Sequence, residues 1–399
     1  MVSIPNTSVL PGHDIEFEAY MAFLNEKEKE LVEAECGKKN ALKKSSKSRR
    51  YKTKSRKIHT AYGTIVRRFV YVINEIGDVF SPLLKYLKIE KHQHASTKFK
   101  EICAKKASRN PYRDTSIDLA ESNNVDISHA TIWSYSKDAS DGLKCTTESE
   151  PSSCDLNRVL MSDGTKAHNR DGGKHELRAV ISIGNKATLL SFTVNESWQN
   201  IVKNINLIQY DAIVADAEPG LYQAFNGIRF QLCHIHAIRD TGYCLWEDGL
   251  KKKESELYVS QLESILYTLQ NSTKKYWIDR DDIRLMKRIE WTKIELRKLI
   301  RFLRSMAHCS TADFLERHID HLTTAAELAI SKGIRVPWTT NQIERMMREI
   351  GKRTKKKGMC WSEDGLTRIV SMNLKRYMVP FKQRKYLNLF GDNNVGVEV

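Results

Sequence analysis

From about residue 158 the chain alternates between two backbone periodicities, and this alternation constrains the fold more than any other feature. RVLMS, LRAVISI, TLLSFTV, AIVA and RFQLCHI are short, β-branched runs bounded by turn formers, as strands are. A helix-like SWQNIVKNINLI separates the third run from the fourth, and GLYQAF separates the fourth from the fifth. From about 244 to 335 long amphipathic stretches such as SELYVSQLESILYTLQ and KIELRKLIRFLRSM take over, with the 3.6-residue period of helices packed on one face. NQIERMMREIGKR then restarts a helix, KKKG makes a basic loop, and GLTRIVSMNLKRY makes another helix. Strands interleaved with helices predict an α/β domain. Its first part covers 158–243, an all-α insertion covers 244–335, and its second part with a basic tail covers 336–399.

Upstream the pattern differs. Within residues 1–60, Ile15, Phe17, Met21, Phe23, Leu24, Leu31 and Val32 recur at roughly helical spacing. Residues 38–57 then carry 11 Lys or Arg in 20 positions with no acid. Self-repulsion favours an extended, solvated arm there, and Arg49, Arg50, Lys52, Lys54, Arg56 and Lys57 are its candidate phosphate contacts. The bland reading is a solvated tail or localisation-type patch. Residues 61–138 begin with a β-branched YGTIVRRFVYVI, and Pro82 opens a short helical pattern. Three further helices are expected, with Ser96 capping the first, Pro111 opening the second and Ser128 capping the third. A tight turn before the last makes the region helix-turn-helix-like, with His129, Thr131 and Ser134 or Lys137 facing a groove. The alternative is an ordinary trihelical unit in which Ile132 and Trp133 are core. Residues 139–157 are polar and turn-rich, and are expected to be a linker.

Charge narrows the partners. Among 399 residues, 65 Lys and Arg against 49 Asp and Glu leave +16, with a pI near 9.3, which favours a polyanion such as nucleic acid. With 41% hydrophobic and 29% charged residues, global disorder and collagen-like scaffolds are excluded. The 8 cysteines include no Cys-x-x-Cys pair, which argues against a disulfide framework or a four-cysteine zinc site and for a reducing compartment. No apolar run is long enough to span a bilayer, and the first residues lack a signal-peptide pattern. A cytoplasmic protein with no membrane partner is the expectation.

Two carboxylates follow strand-like runs: Asp163 after RVLM and Asp216 after AIVA. A carboxylate at the carboxyl end of a buried strand can reach the crevice where open α/β sheets bind ligands. The 53 residues between them hold two more strand-like runs and a helix, enough for a hairpin and a crossover returning beside the first strand. Each Asp could instead cap a turn, since Asp-Gly is a strong turn signal. Glu344 lies early in a helix expected to pack back on the α/β unit. Spaced three residues after Asn341, it fits a capping box equally well.

The segments DGTKAH at 163–168, VADAEPGLYQAF at 214–225, QLCHIH at 231–236 and WTTNQIERMMREIGKRTKKKGMCWS at 338–362 together resemble a DDE transposase of a prokaryotic insertion sequence, in the group related to Mutator-like elements. In that group the second Asp is followed about twenty residues later by a Cys-x-x-His pair, here Cys233 and His236, and the Glu follows an all-helical insertion. The resemblance covers roughly 155–380 well and 45–137 more loosely. It implies an RNase H-like catalytic domain interrupted by the all-α insertion and preceded by the helix-turn-helix-like DNA-binding region. It further implies that Asp163, Asp216 and Glu344 hold two Mg²⁺ or Mn²⁺ ions that cut and join DNA. Cys233 and His236 would shape the active-site neighbourhood without forming a zinc site, two ligands falling short of four; the alternative is a buried thiol and a satisfied histidine. Double-stranded DNA, as element ends and as target, is the implied partner. A homodimer or higher homo-oligomer and a nucleoid-associated location are expected with it.

The chain departs from some relatives in lacking N-terminal cysteine clusters. Asp155, Asp171, Asp211 and Glu218 flank the two aspartates as rival ligands. Arg345, Arg348, Lys352, Arg353, Lys355, Lys356 and Lys357 either track DNA phosphates or form a solvated helix face. Trp361 either stacks on an exposed base or is core. A DNA-binding protein without catalysis, and a nuclease that never joins strands, are the rival functions.

Overall fold

A computed structural model describes residues 11–36, 48–140, 158–183, 187–356 and 359–378. The described chain is mixed α/β, with 14 α-helices and two sheets. It divides into two compact units, one comprising the chain up to Gly142 with Ser371–Arg376, the other Leu143–Val370 with the short stretch from Tyr377.

In the first unit, α1 (Pro11–Cys36) packs on an antiparallel hairpin of β1 (Ser48–Thr60) and β2 (Gly63–Asn74). A two-residue turn at Ala61 and Tyr62 joins the strands, and Gly63 takes φ +128°, a conformation that disfavours any side chain. Short β3 (Val79–Phe80) pairs with β2, and α2 (Pro82–Tyr86) follows. Leu24, Ile58, Ile65, Phe69, Leu83 and Leu84 form the core. Buried Glu28 accepts the Val70 N–H at 2.9 Å and pairs with Arg67, satisfying the charge it carries inward.

This hairpin corrects the expected arm. Residues 48–57 are strand rather than extended coil, and a boundary at 60 would cut the hairpin at its turn. Self-repulsion does not prevent pairing, because Arg49, Arg50, Lys52, Lys54 and Lys57 all stay exposed on an edge strand while the backbone ladder is made with β2. Residues 38–47 of the expected arm lie outside the described residues.

Next come α3 (Thr97–Ala107), α4 (Tyr112–Asn123) and α5 (His129–Ser140), around Phe99, Cys103, Leu119, Val125 and Ile132. The Ser96 hydroxyl accepts the Phe99 N–H at 3.2 Å, and the Ser128 hydroxyl accepts the Thr131 N–H at 3.2 Å, so both expected caps form. Ile132 is core as its apolar character suggests, whereas Trp133 is 46% exposed; His129, Ser134 and Lys137 face outward beside a half-buried Thr131. The expected linker begins within α5, and its remainder lies outside the described residues.

The second unit is built on a five-stranded sheet. Its strands are β4 (Val159–His168), β5 (Lys174–Ile183), β6 (Thr188–Val194), β7 (Ala212–Ala215) and β8 (Arg229–Leu232), in the order β6-β5-β4-β7-β8. β4, β5 and β6 are antiparallel, while β7 runs parallel to β4, and β8 to β7. The crossover before β7 holds α6 (Trp198–Val202) and a 3₁₀ turn at Leu207–Gln209, less helix than the sequence pattern suggests. This stretch carries Asn204 and Asn206, residues of low helix propensity. Between β7 and β8 lies α7 (Leu221–Ala224).

After β8 the chain is helical from His234, ten residues earlier than the pattern indicated. α8 (His234–Glu247), α9 (Lys252–Asp279), α10 (Asp282–Ser305), α11 (Cys309–His318) and α12 (Thr324–Lys332) follow in turn. Leu245, Leu262, Leu296 and Leu315 share one apolar core with Leu160, Val180, Ile213 and Leu232 of the sheet, so these helices are anchored to it. α13 (Asn341–Thr354) returns to pack on β4, and α14 (Glu363–Met378) closes the described chain. Among the described residues no helix is long and apolar enough to cross a membrane.

Candidate active site

The register of the parallel strands brings the two aspartates together. Met161 pairs with Val214, so continuing the ladder by two residues sets Asp163 beside Asp216. Ala215 pairs with Leu232, and one step further sets Asp216 beside Cys233. The Cys233 N–H donates to the Ala215 carbonyl at 2.8 Å, which fixes that third position. The row Asp163, Asp216, Cys233 thus lies across three neighbouring strands where β7 and β8 end, the place at which open sheets present ligand-binding groups.

The turn alternatives divide. β4 runs through Asp163 and Gly164 to His168 with Gly164 paired to Arg178, so Asp163-Gly164 is no turn. Asp163 is 9% exposed, and its Oδ1 accepts the Gly164 N–H at 2.8 Å. Asp216 does support a turn, its Oδ1 accepting the Glu218 N–H at 3.2 Å.

Glu344 enters from α13. Thr340 occupies the N-cap position without a side-chain cap bond and Asn341 is already inside the helix, so the Asn341 capping box is not made. Instead the Thr340 hydroxyl donates to Glu344 Oε1 at 2.6 Å, and Oε1 lies 3.5 Å from His236 Nε2. Thr340 also faces Cys233, its N–H reaching Sγ at 3.4 Å and its Oγ1 lying 3.3 Å from Sγ. A hydroxyl has one proton, so Glu344 and Cys233 compete for it. Cys233, His236 and Glu344 place one ligand-type atom each within 4.8 Å of one another. Thr340 escaped sequence reading; the signal available was its i, i+4 spacing to Glu344 at a helix start.

Electrostatics couples the group. Burial raises the Asp163 carboxyl to about 7, the neighbouring Asp216 charge adds to the rise, and His236 and the Gly164 N–H oppose it. Burial also raises Asp216, against His236 and the Glu218 N–H. For His236 burial acts downward, but its bond to Cys233 and nearby negative charges prevail and the imidazole is raised. Cys233 is displaced the opposite way: burial acts upward, and its bonds with His236 and Thr340 outweigh it. The two shifts agree on a pair drawn toward thiolate and imidazolium.

Of the rival acids, Asp211 and Asp171 point elsewhere, while Glu218 stays near the aspartates and its charge adds to the rise of Asp216. Asp211 starts β7 at its other end, paired with Arg158 at 2.6 Å and with Lys332. Glu218 is held by Arg178 at 2.9 Å, and Asp171 sits exposed in the β4–β5 turn. Asp155 lies outside the described residues. His234 is buried in the first turn of α8 rather than on a strand face, with Nε2 2.9 Å from the Leu322 carbonyl and Nδ1 2.7 Å from Gln270 Nε2. Burial lowers it to about 4, as for a neutral core histidine.

Of the basic residues on α13 and after it, Arg345, Arg348, Lys352, Lys355 and Lys356 are exposed. Arg353 is corrected: it is 1% exposed, with its guanidinium 4.9 Å over the Trp361 ring, turned away from any phosphate. Lys357 lies outside the described residues. Trp361 is core, donating Nε1–H to the Thr354 carbonyl at 3.0 Å and N–H to the His168 carbonyl at 3.0 Å, so it has no face free for a base. On β1, Arg56 is half-buried, its guanidinium donating to the Gln93 carbonyl at 2.5 Å, and the other five basic residues named for phosphate contact are exposed.

No family model and no curated protein matches the chain. The functional reading therefore rests on the geometry above together with the motif resemblance.

Proposed function

We propose that the chain is a DDE-type transposase that cuts DNA at the ends of an insertion sequence and joins them to target DNA. The observation that carries this reading is the row of Asp163 and Asp216 on adjacent parallel strands, with Glu344 reaching the same neighbourhood from α13. A mixed sheet with β4 at its centre, followed by five helices before α13, is compatible with the RNase H-like domain and all-α insertion that the resemblance implies.

Asp163 and Asp216 are donors of the type that Mg²⁺ or Mn²⁺ takes, while among the described residues Glu344 lies within ligand distance of Cys233 and His236 rather than in one group with both aspartates. These cations prefer oxygen ligands, and a buried Asp163 carboxyl raised by burial and by the neighbouring Asp216 charge is a site that divalent charge would relieve. When bound, a pair of such ions supplies an activated water or 3′-hydroxyl on one side of the phosphodiester and charge stabilisation of the leaving oxygen on the other. The chain's part is to hold ionised Asp163 and Asp216 on rigid strands, and Glu344 through Thr340 and His236. DNA is held by phosphate contacts from exposed Arg49, Arg50, Lys52, Lys54 and Lys57 on β1 and from Arg348, Lys352, Lys355 and Lys356, with α5 as the groove-facing helix. Two copies acting on two DNA ends suit a homodimer.

The test is nicking of plasmid DNA carrying the sequences that flank the coding frame, with Mn²⁺. Alanine at Asp163, Asp216 or Glu344 is expected to abolish nicking and leave DNA binding within severalfold. Full cleavage by Asp163→Ala overturns the assignment. Joining of a 3′-hydroxyl oligonucleotide to the plasmid separates a transposase from a nuclease.

A further inference from the structure

We infer that Cys233, His236 and Glu344 form a second cation site of softer character, which takes Zn²⁺ and in doing so withdraws Glu344 from the two aspartates. The Zn²⁺ site itself does not depend on the transposase reading; its inhibitory consequence does. Thiolate, imidazole and carboxylate are the three ligand types zinc accepts, and here their ligand atoms converge within 4.8 Å. Two aspartates and a glutamate suit hard cations, whereas a sulfur and a ring nitrogen favour zinc over magnesium or manganese.

Two observations suit the cluster to a cation. His236 is 7% exposed, and apart from its bond with Cys233 its Nδ1 has no hydrogen-bond partner among the described residues, while Nε2 lies 3.5 Å from Glu344. A buried imidazole with a ring nitrogen left without a firm partner is costly, and ligation of the ring removes part of that cost. Cys233 is fully buried, with the Thr340 N–H and hydroxyl both aimed at Sγ, the outer-sphere donors that hold a ligating thiolate. One thiolate and one carboxylate neutralise the charge of Zn²⁺, so the loaded site is neutral within a mostly buried pocket. Binding releases the proton that the Cys233–His236 pair holds, since zinc takes thiolate and neutral imidazole, and three protein ligands leave one position for water.

The experiment uses the full chain, stripped with EDTA and titrated with Zn²⁺ against a chromophoric chelator, with Co²⁺ absorption reporting thiolate ligation. One ion per chain is expected. Cys233→Ser and His236→Gln should each lose at least about tenfold in affinity, and Cys233→Ser should lose the thiolate-to-cobalt band. Asp163→Asn, which spares all three ligands, should bind Zn²⁺ like wild type, as should Cys309→Ser and Cys360→Ser, which remove exposed thiols. Near-ultraviolet circular dichroism checks the fold of each metal-free variant, and His236→Gln carries the test if Cys233→Ser does not fold. Absence of binding, full affinity in either folded ligand variant, or loss in Asp163→Asn overturns the site. In wild type Zn²⁺ should also suppress Mn²⁺-dependent nicking; absence of all nicking would instead fail the transposase reading, leaving the Zn²⁺ titration to stand alone.

Discussion

Replacing Asp163 by Asn should stabilise the metal-free protein, and the gain should grow with pH. In the folded state burial and the Asp216 charge raise the Asp163 carboxyl from its usual 3.8 to about 7. A carboxyl whose folded value exceeds its unfolded value stabilises the fold fully below the unfolded value, and that stability is lost as pH rises through the folded one. Between about pH 4 and pH 7 the native state therefore loses about 4 kcal/mol at this side chain, at 1.36 kcal/mol per pKa unit. Asparagine matches the neutral acid in shape and never ionises, so Asp163→Asn should match wild type near pH 4 and exceed it by about 2–4 kcal/mol at pH 8. Because the chain has two units, hydrogen exchange of β4 and β7 amides in EDTA is the assay, since it reads this unit alone. Adding Mn²⁺ should reverse the order, stabilising wild type and not the variant. Equal protection of the two proteins at pH 8, or a gain already complete at pH 5, would refute the claim that burial and the Asp216 charge hold the Asp163 carboxyl up.

Two further outcomes follow from the same geometry. Lys52→Glu with Lys54→Glu on exposed β1 should weaken DNA binding and flatten its log-log salt slope by about 2, whereas Arg353→Ala should lower Tm and leave that slope unchanged; fluorescence anisotropy at several salt concentrations and a melting scan decide. Thr340→Val keeps the side-chain volume and removes the hydroxyl that donates to Glu344, so nicking should fall about 10- to 100-fold with DNA affinity intact. Wild-type nicking by Thr340→Val would show that Glu344 needs no support.

What the sequence disclosed about this molecule depended on how local each determinant is. The five strand-like runs, the caps Ser96 and Ser128 and the long helices follow from periodicity and capping chemistry within a few residues, and they form as expected. β1 was illegible because its partner, rather than its own composition, decides it: eleven cations in twenty residues describe a solvated chain until β2 supplies a ladder. Arg353 was misplaced for a similar reason. Charge alone groups Arg353 with the outward Arg348 and Lys352, but it lies five positions from the first and one from the second, off their shared face, and it packs inward against Trp361.

The site divides along the same line. That Asp163 and Asp216 each follow a strand is readable in the text, but their adjacency is a property of register: a one-residue slip between β4 and β7 would turn one carboxylate to the opposite face of the sheet. The same ladder step that aligns the aspartates also delivers Cys233, so a chain that folds to bring these two carboxylates together brings a sulfur beside them. Thr340 then stands between two acceptors with one proton to give. Whichever of Glu344 and Cys233 receives it is stabilised as an anion at the expense of the other. Oxygen-type and sulfur-type sites at this sheet end are therefore coupled through one hydroxyl, and Thr340→Val should weaken Zn²⁺ binding and nicking together.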